Sequence, residues 1–577
     1  MIWAVMRIIP RKPFKWLFFL VAIVTVAITV SSLFSTPTIE PGTYLSVDVS
    51  GEYHVAPPGN VLDQLVEDRR VLASLIDALD QAQTDDRIEG AIIKIHSIGM
   101  GWGRVREIRD AVARLRDSGK RVVAYIDSST MGANKEYYLA SVADDIFVPP
   151  AGAPMLTGLS SRYIFLGGMW NHANLEMQVE QIREFKSFGD QVGGLGMTEA
   201  LREQANSLLD DINSEFLETI SVARGLTVSE VQAIVDSCPA TASDFVEAGL
   251  ADDQLFIDQI LVDLGDGERV DTVSLSEYNR QGVSELLGNE QPKIAIIYAD
   301  GAIVSGKGGR RGLGGASIGS SSLVKAFRLA AEDDEIEAIV FRLNSPGGSP
   351  LGSDHVWRAI RIASEKKPVV ASFADVAASG GYYMAAGADL IVAEPTTITG
   401  SIGVVLIRPN ISNLLARFDI ATESIGRGRY STIADTAKPM TEEELSLVRE
   451  QMESTYQLFL DRVSVGRQMT VEEVDALGGG RVWTGKQALE HGLIDELGGL
   501  DVAIRLAATE AGIADPDNIS KIYLPERRPL LQELLSPLSR SAAYLPSGFE
   551  EFLDSVATYA PLESGVYALS SAIFQIR

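Results

Sequence analysis

Two stretches of the chain share one pattern: 84-TDDRIEGAIIKIHSIGMG-101 and 332-EDDEIEAIVFRLNSPGGS-349. Ile88 falls on Ile336, Ser97 on Ser345 and Gly99 on Gly347. The match continues through 121-RVVAYID-127 with 368-PVVASFAD-375 and 137-YYLASVADDIFVPP-150 with 382-YYMAAGADLIVAEP-395. It ends with 197-MTEALREQ-204 against 440-MTEEELSLVREQ-451. A period of about 245 residues is far too long for a solenoid unit, so the chain is read as a tandem pair of domains. In each copy, strands such as 91-AIIKI-95 or 338-AIVFRL-343 alternate with amphipathic helices such as 105-VREIRDAVARLRDSG-119 or 355-HVWRAIRIASEKK-367. That alternation predicts parallel βαβ units and an α/β fold. The polar stretch 276–292 reads as the linker, which gives a first copy over 42–275 and a second over 293–510. The tail, 511–577, has apolar segments such as 549-FEEFLDSVATYA-560, for which packing, oligomer contact and membrane-surface contact all stay open.

Composition removes several function classes. A net charge of −28 argues against nucleic acid as a partner. The single cysteine, Cys238, excludes an internal disulfide framework and a cysteine-based metal cluster, and no cofactor or metal motif is read. The acidity is unevenly placed, because residues 1–39 hold Arg7, Arg11, Lys12 and Lys15 and no acid. After this basic segment (1–15) comes 16-WLFFLVAIVTVAITVSSLF-34, uncharged and about long enough to cross a bilayer as one transmembrane helix. It exceeds a typical secretory apolar region and no clear A-x-A site follows, so an uncleaved anchor is preferred over a cleaved signal peptide. Bases before the span put the N-terminus in the cytoplasm and everything after about residue 35 outside.

The copies differ where chemistry would sit. The second carries 344-NSPGGS-349, the first 96-HSIGMG-101; Ser379 in 374-ADVAASGGYYMAAGAD-389 faces Asn134, and Gly380 faces Lys135. A strand, a tight turn with a small polar residue and a helix opening on glycines can present a nucleophile, although Ser379 could equally be a helix N-cap. Loss of the serine from one duplicate favours function. A serine nucleophile needs a base and an oxyanion hole. For the hole, Gly347 and Gly348 follow a strand, and the N–H of Gly380 comes directly after the serine. For the base, none of the five histidines (His54, His96, His172, His355, His491) sits in a motif. A lysine is the alternative, and an ordinary one is only about 0.04% neutral at pH 7, so its site must desolvate it. Lys186 lies between Phe185 and Phe188 in 183-REFKSFGDQVGG-194, where the second copy offers Tyr430 or Ser431. Each copy thus keeps half of a dyad.

N-S-P-G-G-S, A-A-S-G-G-Y-Y, 399-TGSIGV-404 and 481-RVWTGKQALEHGLIDELGGL-500 together resemble the signal peptide peptidase A family, in its long, two-repeat, membrane-anchored form. The resemblance covers roughly residues 40–510. It implies a tandem pair of crotonase/Clp-protease-like β-superhelix domains, with Ser379 as nucleophile and Lys186 as general base. It also implies Ser401 as a second hydroxyl positioning the lysine. By the same resemblance the chain would be a homotetramer in the bacterial inner membrane, cutting hydrophobic peptides such as leftover signal peptides on the periplasmic side.

The stretch 301-GAIVSGKG-308 nearly matches a phosphate-binding loop, but Gly308 replaces the hydroxyl that would bind magnesium, and 305–322 reads as a mobile loop beside the cleft. Two rival functions stand beside the peptidase: a crotonase-type acyl-CoA hydratase or hydrolase, and a catalytically inactive membrane scaffold. An extracytoplasmic domain has little access to CoA, and the intact Ser379–Gly380 and Gly347–Gly348 pairs argue against a scaffold.

Overall fold

The structure is a computed structural model describing residues 39–55, 70–285, 291–310, 316–525, 565–569 and 575–576. The expected anchor, 16–34, lies outside the described residues; among those described, no helix is long and apolar enough to cross a membrane.

The first copy runs β1 (Thr43–Gly51), α1 (Leu72–Ala82), β2 (Ile88–Ile98), α2 (Trp102–Asp117), β3 (Arg121–Ile126), α3 (Asn134–Ala140) and β4 (Asp145–Val148). It continues with β5 (Glu176–Gln181), α4 (Phe188–Gly193), α5 (Glu199–Arg224), β6 (Asp253–Gln254), β7 (Thr272–Ser274) and α6 (Leu275–Glu285). Strands β6-β4-β3-β2-β1-β7 form one sheet in which every pair is parallel. Near-continuous apolar runs such as 91-AIIKI-95 suit strands covered on both faces, and Ala91, Ile92, Ile93 and Ile95 are all buried. Helix α6 covers residues 276–285 of the stretch read as a linker and packs on α1 and β1; its Tyr278 is buried and donates to Asp85.

The second copy repeats the plan with β8 (Lys293–Asp300), β9 (Ala302–Val304), α7 (Ser320–Glu332), β10 (Ile336–Ser345), β11 (Gly347–Gly348), α8 (Pro350–Ser364) and β12 (Val369–Ala378). Then come α9 (Gly380–Ala385), β13 (Leu390–Ala393), β14 (Ile398–Gly400), β15 (Val405–Asn410), α10 (Glu442–Arg467), β16 (Val482–Thr484), α11 (Leu500–Glu510), β17 (Ser520–Leu524) and β18 (Gly565–Leu569). The second sheet runs β16-β14-β12-β10-β8-β17, with β13 beside β12. The fold is mixed α/β with parallel sheets, consistent with a Clp-protease-like architecture.

The duplication survives at the level of single hydrogen bonds. Tyr137 and Tyr382, both buried, donate to the carbonyls of Leu250 and Leu493. Arg224 reaches Gly249 O and Asp252 just as Arg467 reaches Gly492 O and Asp495. Helices α5 and α10 each span 26 residues, and each is N-capped by a threonine, Thr198 or Thr441.

Helices α2 and α8 begin earlier than the apolar period suggests. Ser349 caps α8 through Gly352 N and Pro350 supplies a first-turn proline, which extends the helix ahead of His355. The glycine-rich stretch 305–322, of which 311–315 lie outside the described residues, also differs from the loop expected. Residues 316–319 form a strand parallel to β9, and α7 starts at Ser320. A Cβ on Gly319 would stand 1.9 Å from Gly308 N, so the glycines permit backbone contact that any side chain would block.

A third sheet joins the copies. Its order includes β9-β11-β18-β15-β5, so a strand of the first copy, β5, closes onto β15 of the second in antiparallel register.

Candidate active site

Strand β12 runs one residue short of Ser379, longer than its sequence pattern indicated. Ser379 then takes φ 55° and ψ −118°, a positive-φ conformation uncommon for a residue with a side chain. It stands at the N-cap of α9 but makes no side-chain cap. The strain is over-determined by neighbours: Ser379 N donates to Gly400 O at 2.8 Å, and Tyr383 N donates to Ser379 O at 2.8 Å. The hydroxyl is thereby turned away from the helix.

It meets Lys186. Nζ lies 2.6 Å from Ser379 Oγ, 2.8 Å from Ser401 O and 3.0 Å from Ser401 Oγ. All three residues are buried, Lys186 to 1% exposure and both serines to 0%. The antiparallel pairing of β5 with β15 carries Lys186, on the connection from β5 to α4, into the second copy. Phe188 and Val192 on α4 anchor that connection against Val405 and Ile407 of β15. Burial holds the ammonium well below the ordinary lysine range.

The walls of the lysine channel are glycines that the reading of the sequence did not single out. A Cβ on Gly480, whose φ is +88°, would stand 2.4 Å from Lys186 N. One on Gly403 would stand 3.1 Å from Lys186 Cδ. The run 478-GGG-480 was the available signal, because consecutive glycines mark close backbone approach. Ser401 also has positive φ, 53°, and its N–H donates to Arg481 O at 2.7 Å, which fixes the 399-TGSIGV-404 turn against that same glycine segment.

Beside the serine, Gly348 has φ +152° and pairs with Ile303 of β9; a Cβ there would stand 2.2 Å from Ile303 O. A Cβ on Gly380 would lie 3.1 Å from Gly348 N, so the two glycines share one wall of the cleft. The Gly347 N–H donates to Ser345 Oγ at 3.2 Å. Strand β18, from the tail, lies antiparallel to both β11 and β15, with Gly347 opposite Leu569 and Gly348 opposite Ala568.

The other sequence candidates lie apart from this cluster. His355 is on the exposed face of α8, His172 donates to Gly168 O, His96 is half-exposed beside Asp48 and Asp127, and His491 meets Trp483 edge-on. Tyr430 bonds Glu443 at the surface, and Lys438 pairs with Glu444 at 2.7 Å.

The first copy's equivalent site is filled by its own side chains. Asn134 Oδ1 accepts from Thr157 N and Gly158 N, and its amide donates to Gly158 O. Lys135, in the place of Gly380, donates to Met100 O, in the place of Gly348. Among the described residues no cluster of acids, histidines and cysteine could hold a metal ion.

Comparison with known proteins identifies the family of the chain. The model of peptidase family S49 matches residues 114–271 and 361–514, one segment in each copy. The chain is 35% identical over 495 residues to the chloroplastic serine protease SPPA of Arabidopsis thaliana, covering 84% of this chain and 72% of that protein. It is 29% identical over 453 residues to protease 4 of Salmonella typhi, covering 76% of this chain and 71% of the relative. Against protease 4 of Haemophilus influenzae the identity is 27% over 453 residues.

Proposed function

The chain belongs to peptidase family S49 and is a serine protease; from that premise we propose that it is an endopeptidase running on a Ser379–Lys186 dyad. The observation that carries the reading is the 2.6 Å approach of Lys186 Nζ to Ser379 Oγ in a buried pocket. A neutral amine has two N–H donors and one lone pair. Ser401 O and Ser401 Oγ accept the two N–H groups, which leaves the lone pair aimed at the Ser379 hydroxyl.

In the acylation step, Ser379 Oγ attacks the scissile carbonyl while Lys186 takes the hydroxyl proton. The developing oxyanion is met by the N–H groups of Gly348 and Gly380, with Gly347 shaping the turn before them. Lys186 then protonates the leaving amine, and later takes a proton from the water that cleaves the acyl-enzyme. The hole needs no metal or cofactor. Strand β18 lies antiparallel between β11 and β15, which supports a groove that takes an extended strand, and an extended substrate would sit there in place of β18.

Residues 16–34 anchor the chain in a bacterial inner membrane with the two copies on the outer side, and the substrates are hydrophobic peptides, cleaved signal peptides among them. A homotetramer of tandem crotonase/Clp-type domains completes the reading, on resemblance. The test is cleavage of a hydrophobic peptide, together with labelling by a serine-reactive phosphonate, in wild type and Ser379→Ala. The label should sit on Ser379 and the variant should be inert and unlabelled. Turnover above a few per cent in Ser379→Ala would remove Ser379 as nucleophile.

A further inference from the structure

Strand β12, which delivers Ser379, is not regular. Leu343 of β10 faces Phe373, but Ser345 faces Ala377, so three residues of β12 (Ala374, Asp375 and Val376) stand opposite the single Asn344. On its other edge β12 pairs with β13 over 370–373 and then with β14 over 376–378. The bulge is where the strand changes partner and turns towards the nucleophile. Bulges re-aim side chains in this way, and they leave unpaired backbone that something must hold. Thr397 Oγ1 donates to Ala374 O at 2.6 Å, and Val376 N donates to Asn344 Oδ1 at 3.3 Å.

The third hold comes from the other copy. The Asp375 carboxylate accepts from Gly101 N at 3.0 Å, from Arg104 N at 2.8 Å and from Arg104 Nε, all at the start of α2. Arg104 is itself fixed, donating to Tyr53 O at 2.6 Å and pairing with Glu52 at 3.0 Å. Both Arg104 and Asp375 side chains are 11% exposed. The fit is close enough to dictate residue type: a Cβ on Gly101 would lie 2.3 Å from Asp375 Cγ, and one on Gly103 2.7 Å from Ala374 O. One turn further along α2, Glu107 pairs with buried Arg342, which donates to Ser372 Oγ and Phe373 O just before the bulge. The first copy's strand β3 pairs with β2 without such a bulge.

We infer that Asp375 is a positioning residue for the peptidase reaction: seated in the start of α2, it pins the bulge that aims Ser379 at Lys186. The first copy then contributes twice, with the base and with the socket that sets the nucleophile's angle. The socket lies beside the first copy's own filled-in site, since Gly101 follows Met100, whose carbonyl Lys135 occupies. This inference rests on Ser379 being the nucleophile.

The test uses full-length Asp375→Asn, Gly101→Ala, Asp375→Ala and the Gly101→Ala, Asp375→Ala pair, each checked for folding by thermal unfolding. Asp375→Asn keeps the size but presents an amide to N–H donors. It should lose kcat by about 10–100-fold, as a sub-ångström to ångström misplacement does, with KM within about twofold of wild type. Gly101→Ala should do the same, and adding it to Asp375→Ala should cost nothing more, because the space is then free. Wild-type kcat in folded Asp375→Asn overturns the inference. So do a change confined to KM, a loss matching only the unfolded fraction, and additive effects in the pair. Phosphonate labelling of Ser379 in wild type separates the cases: labelling with unchanged Asp375→Asn turnover sinks this inference alone, whereas no labelling sinks the dyad.

Discussion

Lys186 Nζ and Ser379 Oγ stand 2.6 Å apart across 193 residues of chain, one from each copy of the repeat. Neither copy carries both residues of the proposed dyad, because the second has Tyr430 or Ser431 near the lysine's place and the first has Asn134 in the serine's. The pairing of β5 with β15 makes the single site.

The proposed dyad needs a neutral lysine, and burial holds the pKa of Lys186 well below 10.5. Peptide cleavage, read as kcat/KM, should therefore rise with pH through that lowered value and level off on the alkaline side. Lys186→Arg keeps a cation that does not titrate at usable pH, so it should fail as badly as Lys186→Ala, each by on the order of 10⁴-fold or more. Lys438→Ala, which removes a surface partner of Glu444, should stay active. Near-normal turnover in Lys186→Arg would end the dyad assignment.

The same burial has a cost in stability with a definite sign. The folded chain gives up the Lys186 proton at a lower pH than the unfolded chain does. Between the lowered value and about 10.5 the unfolded state binds more protons, so this group makes stability rise with pH. Lys186→Met should therefore be more stable than wild type near neutrality, with the advantage shrinking as pH approaches 10.5. Denaturant midpoints at pH 7 and pH 10 give the comparison; an advantage that grows with pH would contradict it.

Gly480→Ala should disable the enzyme without replacing a catalytic residue. The methyl would stand 2.4 Å from Lys186 N at a backbone position of φ +88°, so both the contact and the conformation resist it. Activity should fall at least about 100-fold, as ångström-scale displacement of a reacting group does. Retention of more than a tenth of wild-type kcat would show that the lysine segment has room to spare.

Asn134→Ser should not create a second site. Lys135 and Met100 stand where the active copy has Gly380 and Gly348, and the ammonium of Lys135 already takes the Met100 carbonyl. The Asn134→Ser, Ser379→Ala protein should cleave nothing; detectable turnover would mean that the first copy retains an oxyanion hole.

The duplication and the α/β alternation were legible because they depend on hydrophobic period and internal similarity, which need no partner. Ser379 was legible for a related reason: one copy had lost it, and its glycine neighbours read as a turn. Lys186 was only half legible, since its flanks Phe185 and Phe188 suggested desolvation but the residues that line its channel, Gly403 and Gly480, lie more than two hundred positions away. The extent of α8 was misread because Ser349 and Pro350 start a helix through capping, which the apolar period does not register.

By itself, then, the sequence determined that there are two copies, which one keeps the serine and which segment supplies a candidate base. Only the tertiary structure decided that β5 crosses to β15 and brings that base within 2.6 Å of the hydroxyl, and that Asp375 reaches back into the start of α2. The physical reason is range. Periodicity and turn chemistry act over a few residues, whereas an amine's loss of charge and a strand's bulge are set by groups that only packing brings together.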